Sequence, residues 1–184
     1  MISVCYEVGR YRSVLAQAVR VGDVVVEIGP HLGQSTVPYL SKAKVAVAVE
    51  KGVQGEEAFK KLVEVHSNLF FVRGDARSFE TVKEVFSRVK RCDVLAVDMG
   101  GGRYPDTVFK VWALWSGVFK PRDSVIRNRG VAEFVRRAKV VDDSLPAEFA
   151  DGGWLSSYGR STPAALKKQM EEFSFWVNVP SDVR

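Results

Sequence analysis

Five short apolar runs recur along the chain: Val24–Ile28, Val45–Val49, Leu69–Val72, Val94–Val97 and Ser124–Ile126. Most of their residues are β-branched, and short, largely apolar runs of this kind are how strands read when a sheet is covered on both faces. The segments between them carry helical periodicity. Glu56 to Val65 places Phe59, Leu62 and Val63 on one face, and Phe79 to Val89 does the same with Val82, Val85, Phe86 and Val89. Pro105 and Asp106 open a third helix whose apolar face includes Val108, Val111, Trp112, Trp115, Val118 and Phe119, until Pro121 stops it. At that spacing the two tryptophans read as core. Val131 to Ala138 predicts the next helix.

Strand alternating with helix predicts an α/β, doubly wound, parallel sheet with right-handed crossovers. The tail departs from plain alternation. Lys139–Val141 reads as a strand, Thr162 caps a helix with Pro163 at its first position, and Phe173–Val179 is a final strand, seven strands in all. No repeat or internal boundary divides residues 1–184, which read as a single domain with an N-terminal helical segment over residues 1–22 and a loop over residues 144–162.

Composition narrows the class further. Hydrophobic residues at 46% and charged residues at 27% describe an ordinary globular chain. No apolar run approaches the roughly 20 residues of a membrane helix, and the first residues do not resemble a secretory signal, so the expected location is the cytoplasm. Cys5 and Cys92 form no CxxC pair, and neither His31 nor His66 belongs to a metal-binding pattern. The net charge of +5 permits an acidic partner without requiring one.

In such sheets ligands bind outside the carboxyl ends of the strands. The segments to weigh are therefore Gly29–Gly33, Glu50, Gly74–Asp75, Asp98–Arg103 and Arg127–Arg129. The first lies in VVVEIGPHLGQST, Val24 to Thr36. A dinucleotide fingerprint needs three glycines, and His31 and Gln34 stand at two of those places. A phosphate-binding loop would end in GK followed by Ser or Thr, whereas Gly33 precedes Gln34.

Glu27, Gly29 and Gly33 instead match the acid–x–G–x–G–x–G turn of the class I S-adenosylmethionine (SAM) dependent methyltransferases, with His31 as the one departure. The chain resembles that family over most of its length. The resemblance implies a seven-stranded, mostly parallel sheet whose last strand is antiparallel. It implies that Glu50 accepts hydrogen bonds from both ribose hydroxyls, that Asp75 accepts from the adenine amino group while the Ala76 N–H meets a ring nitrogen, and that Asp98 faces the transferable methyl. Ser35 and Lys51 complete the implied cofactor set of Glu27, Gly29, His31, Gly33, Ser35, Glu50, Lys51, Asp75, Ala76 and Asp98, with S-adenosylhomocysteine (SAH) as product. Four acids suit a sulfonium cation and would repel a pyrophosphate. His31 tolerates positive φ better than bulky residues do, and whether its side chain meets ligand or only fits the bend stays open.

The acceptor is less legible. EIGPHLG resembles the EIGPGLG of rRNA adenine dimethyltransferases, yet DMGGGRY, Asp98 to Tyr104, lacks the adjacent prolines and aromatic that follow the equivalent strand there. A layout closer to an O-methyltransferase group, EIGxxxGxST, is shared by EIGPHLGQST. The run Arg127-Asn128-Arg129 would repel Mg²⁺, so no metal is expected. Asp98, Asn128 and Arg127 are the candidate catalytic residues; Arg103, Tyr104, Arg127, Arg129, Trp154 and Tyr158 are the candidate acceptor contacts. Gly100 to Gly102 would allow close backbone approach or a lid.

These observations predict a metal-independent SAM-dependent methyltransferase acting on RNA, a protein or a small molecule, with a lean toward RNA on charge. Its rivals are a non-catalytic SAM- or nucleic-acid-binding partner subunit and, further off, an NAD-dependent oxidoreductase. The chain could also work as a homodimer.

Overall fold

The computed structural model describes residues 1–144 and 152–155. Along the chain run β1 (Ile2–Cys5), α1 (Val8–Ala18), β2 (Val24–Ile28), α2 (Val37–Leu40), β3 (Val45–Glu50), α3 (Val53–Val65), β4 (Leu69–Arg73), α4 (Phe79–Arg88), β5 (Val94–Asp98), α5 (Pro105–Phe119), β6 (Asp123–Arg127) and α6 (Arg129–Arg137). The strands form one six-stranded sheet in the order β1-β6-β5-β2-β3-β4, every pairing parallel. From β2 the chain winds outward through β3 to β4, then returns to β5 and winds the other way. The strand order thus reverses between β2 and β5, where a crevice opens at the carboxyl ends.

Side chains alternate across each strand, which sorts the apolar runs onto two faces. Val25, Ala46, Ala48, Val94, Ala96 and Val125 face α1, α2 and α3, where Tyr11, Leu15, Tyr39 and Phe59 pack. The small alanines make room for those rings. On the other face, Ile28, Val47, Val49, Leu95, Val97 and Ile126 meet α4 and α5 through Val82, Val85, Trp112, Trp115 and Phe119. Both tryptophans are core, as their spacing predicts. Each also finds a polar partner: Trp112 Nε1 donates to Ser124 Oγ at 2.9 Å and Trp115 Nε1 to the Ala76 carbonyl at 2.8 Å.

Two expectations need correction. The first residues are not wholly helical, because Ile2–Cys5 is a strand paired in register with Ser124–Arg127. Four residues at a sheet edge, only the last of them buried, carry too little pattern to be read as a strand. Lys139–Val141, read as a strand, has no ladder and is exposed. The sheet position beside β6 is already taken by β1, and β-branched residues make a strand only where an edge accepts them. The predicted helix at Thr162 and strand Phe173–Val179 lie outside the described residues.

At the amino ends of the strands Arg122 ties the sheet together. Its terminal nitrogens donate to both carboxylate oxygens of Asp23, at 3.0 and 2.8 Å, its Nε to Asp123 at 2.7 Å, and one terminal nitrogen also to the Ala18 carbonyl. Burial pushes the Asp23 carboxyl up, but the hydrogen bonds and charge of Arg122 and the Arg20 backbone outweigh it and hold the group below its ordinary range. An acid with a depressed pKa contributes stability above its unfolded pKa and loses it as pH falls through the folded value. Arg122→Ala is therefore expected to cost about 2–4 kcal/mol at pH 7. The deficit against the parent should shrink on acidification below pH 4, as urea denaturation at both pH values will measure.

Candidate active site

The crevice at the strand reversal is a cleft of about 310 Å³ lined from four strand ends: Ile28 and Gly29 at the end of β2, Glu50 and Lys51 at that of β3, Gly74 to Arg77 after β4, and Asp98 to Gly100 at the end of β5. Arg103, Tyr104, Thr107 and Val108 close its far wall. Its floor depends on Gly29. That residue has φ of +75°, and a Cβ there would lie 2.0 Å from the Asp98 carbonyl oxygen, so no other residue lets the β2 turn meet the end of β5.

Glu50 is set by backbone donors. Its Oε1 accepts from the N–H groups of Lys51 and Gly52, both at 2.8 Å, and its Oε2 from the His31 N–H at 3.2 Å. His31 has φ of +55°, and its side chain is exposed and outside the cleft lining. What position 31 supplies is a left-handed backbone whose N–H orients Glu50.

Asp75 is gripped by Arg77, whose Nε and terminal nitrogen donate at 3.0, 3.1 and 2.6 Å. Lys51 Nζ stands 3.9 Å away. The Arg77 hydrogen bonds hold the Asp75 carboxyl below its ordinary range against the opposing effect of burial. At the other end of the cleft, Asp98 accepts from an Arg127 terminal nitrogen at 3.0 Å. Burial pushes its carboxyl up, while Arg127, and more distantly Arg12 and His31, pull it back; the balance leaves it raised.

No family model matches the sequence, and no curated protein is detectably similar to it. Solved structures are similar in fold. A dimethyladenosine transferase from Plasmodium falciparum is 26% identical with a TM-score of 0.51, over 76% of this chain and 48% of that one. This likeness joins the parallel sheet and the glycine turn at its strand reversal. The fold is that of the class I methyltransferases. Fibrillarin from Aeropyrum pernix with natively bound SAM (18% identity, TM-score 0.47, 60% of this chain and 48% of that one) and M. jannaschii TYW2 in complex with AdoMet (17%, 0.44, 62% and 49%) are similar as well. The chain spans about half the length of each of these three proteins.

Within this methyltransferase fold, Gly29, Glu50, Lys51, Asp75, Ala76, Asp98, Arg103 and Tyr104 all line the cleft. Glu27, Gly33 and Ser35 do not. Glu27 is fully buried beneath the turn, on the face toward α1 and α2, and accepts from Thr36 Oγ1 at 2.7 Å and Tyr39 Oη at 2.8 Å. Burial raises its carboxyl above the ordinary range against the neighbouring hydroxyls of Ser35, Thr36 and Tyr39. Gly33 serves packing, since a Cβ there would meet Leu62 Cδ1 at 2.5 Å.

Asn128 is committed elsewhere: its Oδ1 caps α6 by accepting from the Val131 N–H at 2.9 Å, and its Nδ2 donates to the Arg103 carbonyl at 2.7 Å. It holds the Arg103 loop in place and does not line the cleft. Trp154 is at the opposite end of the sheet. Its ring lies under Lys120 Nζ at 3.7 Å, and Gly153 beside it packs so tightly on Asp123 and Ser124 that a Cβ would come within 2.5 Å of their backbone. That close packing pulls the tryptophan away from any role at the cleft. Tyr158 lies outside the described residues. Met99, inside the segment weighed for its place after β5, lines the cleft, as do Arg77 and Thr107, which no sequence signal singled out; only their places just beyond a strand end or at a helix start could have marked them.

Because position 31 acts through its backbone, His31→Gly should relieve the left-handed strain and raise stability by about 0.5–1 kcal/mol. Ligand affinity at the cleft should be unchanged, as thermal denaturation and calorimetric titration will check; a large loss of affinity would assign the imidazole a direct contact.

Proposed function

We propose that the protein is a SAM-dependent methyltransferase that works without a metal, with the cofactor along the cleft and the acceptor entering beside Asp98. The observation that carries this is the convergence of Gly29, Glu50, Asp75 with Ala76, and Asp98 on one cleft at the strand reversal. Its volume falls in the range of about 300–1,000 Å³ usual for small-molecule sites.

The residues present fit the cofactor. Glu50, oriented by three backbone donors, keeps lone pairs free for two vicinal hydroxyls. Asp75 is engaged by Arg77, but a carboxylate has about four acceptor positions, so an adenine amino group can share it. The Ala76 carbonyl is fixed by buried Trp115, which sets the direction of the backbone at the purine edge. The bound cofactor supplies an electrophilic methyl on a sulfonium. What the chain must add is alignment and a place for the acceptor's proton. Asp98 provides the second: its raised carboxyl is a better proton acceptor than an ordinary one, and the Arg127 guanidinium that donates to it opposes the rise.

SAH should raise the melting temperature by about 5–10 °C at a hundredfold excess over its dissociation constant. NAD and ATP should not, and Glu50→Ala should abolish the effect. A shift with NAD alone would sink the cofactor assignment.

The second expectation concerns pH. Methyl transfer should fall as pH drops through the Asp98 pKa, and Arg127→Gln, which removes the cation opposing burial, should move that acidic limb to higher pH. Asp98→Asn should abolish the limb along with most of the rate. A limb unmoved by Arg127→Gln, recorded in a pH–rate profile, would remove Asp98 from the proton's path.

A further inference from the structure

Beyond the cleft, the carboxyl ends of β1 and β6 carry side chains that cofactor binding does not use. The two strands pair with Cys5 opposite Arg127, so Tyr6 and Arg129 emerge side by side and the Arg129 guanidinium lies 5.1 Å from the Tyr6 ring. Both are exposed. The turn Gly100–Gly102, with positive φ at all three residues, passes next to them. A Cβ on Gly102 would stand 3.3 Å from Arg129 Cγ and 3.6 Å from an Arg127 terminal nitrogen. The same turn delivers Arg103 and Tyr104 to the rim. Tyr104 is 62% exposed, and its ring lies against Gly100 at the cleft mouth.

The row thus runs Tyr6, Arg129, Arg103, Tyr104, from the sheet edge to the cleft. Exposed rings stand at both ends with guanidiniums between them. The charge there is not cancelled. Glu7 approaches Arg129 at 3.4 Å, but Arg103, and Arg10 on the first turn of α1, have no carboxylate partner among the described residues. On α3 and α4, by contrast, Lys60, Lys83 and Arg88 each pair with a glutamate of their own helix. Rings that stack on bases and guanidiniums that neutralise phosphates are what an unpaired strand requires. A protein partner would ask for a more apolar centre, depleted of charge.

We propose that this rim binds a single-stranded nucleic acid, running from Tyr6 past Arg129 and Arg103 to Tyr104, where one base reaches Asp98. The last step rests on the methyltransferase reading; the binding itself does not.

The test is fluorescence-anisotropy binding of mixed-sequence oligomers of about 16 nucleotides, as RNA, DNA and RNA duplex, between roughly 50 and 200 mM salt. Single strands are expected to bind more tightly than the duplex. Arg103→Ala and Arg129→Ala should each lower the slope of log affinity against log salt by about 0.7. Tyr6→Ala and Tyr104→Ala should each weaken binding about fivefold or more and leave the slope alone. Lys60→Ala with Lys61→Ala, on α3, should change neither. RNA bound more tightly than DNA means that the rim reads the 2′-hydroxyl, and equal binding means that it reads bases and phosphates alone; both support the proposal. It is overturned if no single strand binds, if the duplex binds better, or if the α3 variant weakens binding as much as the rim variants do. The parent, Tyr6→Ala and Arg129→Ala are also melted with SAH. A parent that binds no single strand but keeps its SAH shift rejects the rim alone, whereas a parent that binds single strands with no SAH shift rejects the methyltransferase reading alone.

Discussion

The site exists because two backbones can touch. At the end of β2 the chain turns away from the sheet within van der Waals reach of the last residue of β5, and only a residue without a side chain allows it. That contact brings the glycine turn against Asp98 and sets the depth of the crevice between the two halves of the sheet. Every other wall is referred to it. The His31 N–H, two residues on, reaches Glu50; Glu50 in turn fixes the start of the loop into α3, where Gly55 packs against it. The far wall is held by Asn128, which grips the Arg103 loop from the top of β6.

Beneath the turn lies a polar layer inside an otherwise apolar face. Glu27 is wholly buried, and the hydroxyls of Thr36 and Tyr39 both donate to one of its oxygens. A carboxylate in this place costs desolvation, and hydrogen bonds to its charged form offset part of that cost. In this layer Tyr11 Oη, Glu27 Oε1 and Arg127 Nε are buried without a hydrogen-bond partner among the described residues, and Tyr11 feels the charges of Glu27, Asp98 and Arg127. The ends of β2, β5 and β6 therefore carry more polarity on the α1 side than the core requires. Arg127 joins this layer to the cleft through Asp98. A proton or charge gained at Asp98 is consequently felt by Glu27 and Tyr11, which lie outside the cleft lining.

Much of the architecture was legible from the chain. The five runs are strands within a residue or two at each end, because buried strands leave few polar residues to blur the pattern. The helices following Lys51, Arg77 and Tyr104 were readable for the complementary reason, an apolar stripe at a 3.6-residue period. The misses have physical causes. Ile2–Cys5 is too short and too half-exposed to announce itself, and Lys139–Val141 has strand chemistry while the place beside β6 is held by β1. At the site, the residues read from their position just after a strand, Gly29, Glu50, Asp75 and Asp98, do line the cleft. Glu27 and Ser35, read from motif identity, and Gly33, read from motif and position together, lie outside the cleft lining and build the turn. A motif records which residues a turn needs and does not say which of them face its ligand.

By itself the sequence determined the order of strands and helices, the glycine turn, and the presence of an acid at each of three further strand ends or beside it. Those follow from local chemistry: β-branching, helical period, the steric freedom of glycine. Only the tertiary structure decided which acids share a cleft. Whether a side chain points into the crevice or beneath it depends on which sheet face its strand position presents and which helix covers that face. For the same reason only the fold could set Tyr6 beside Arg129 and send Trp154 to the far end of the sheet. Parallel pairing joins residues more than a hundred positions apart, and nothing in either local stretch encodes the other.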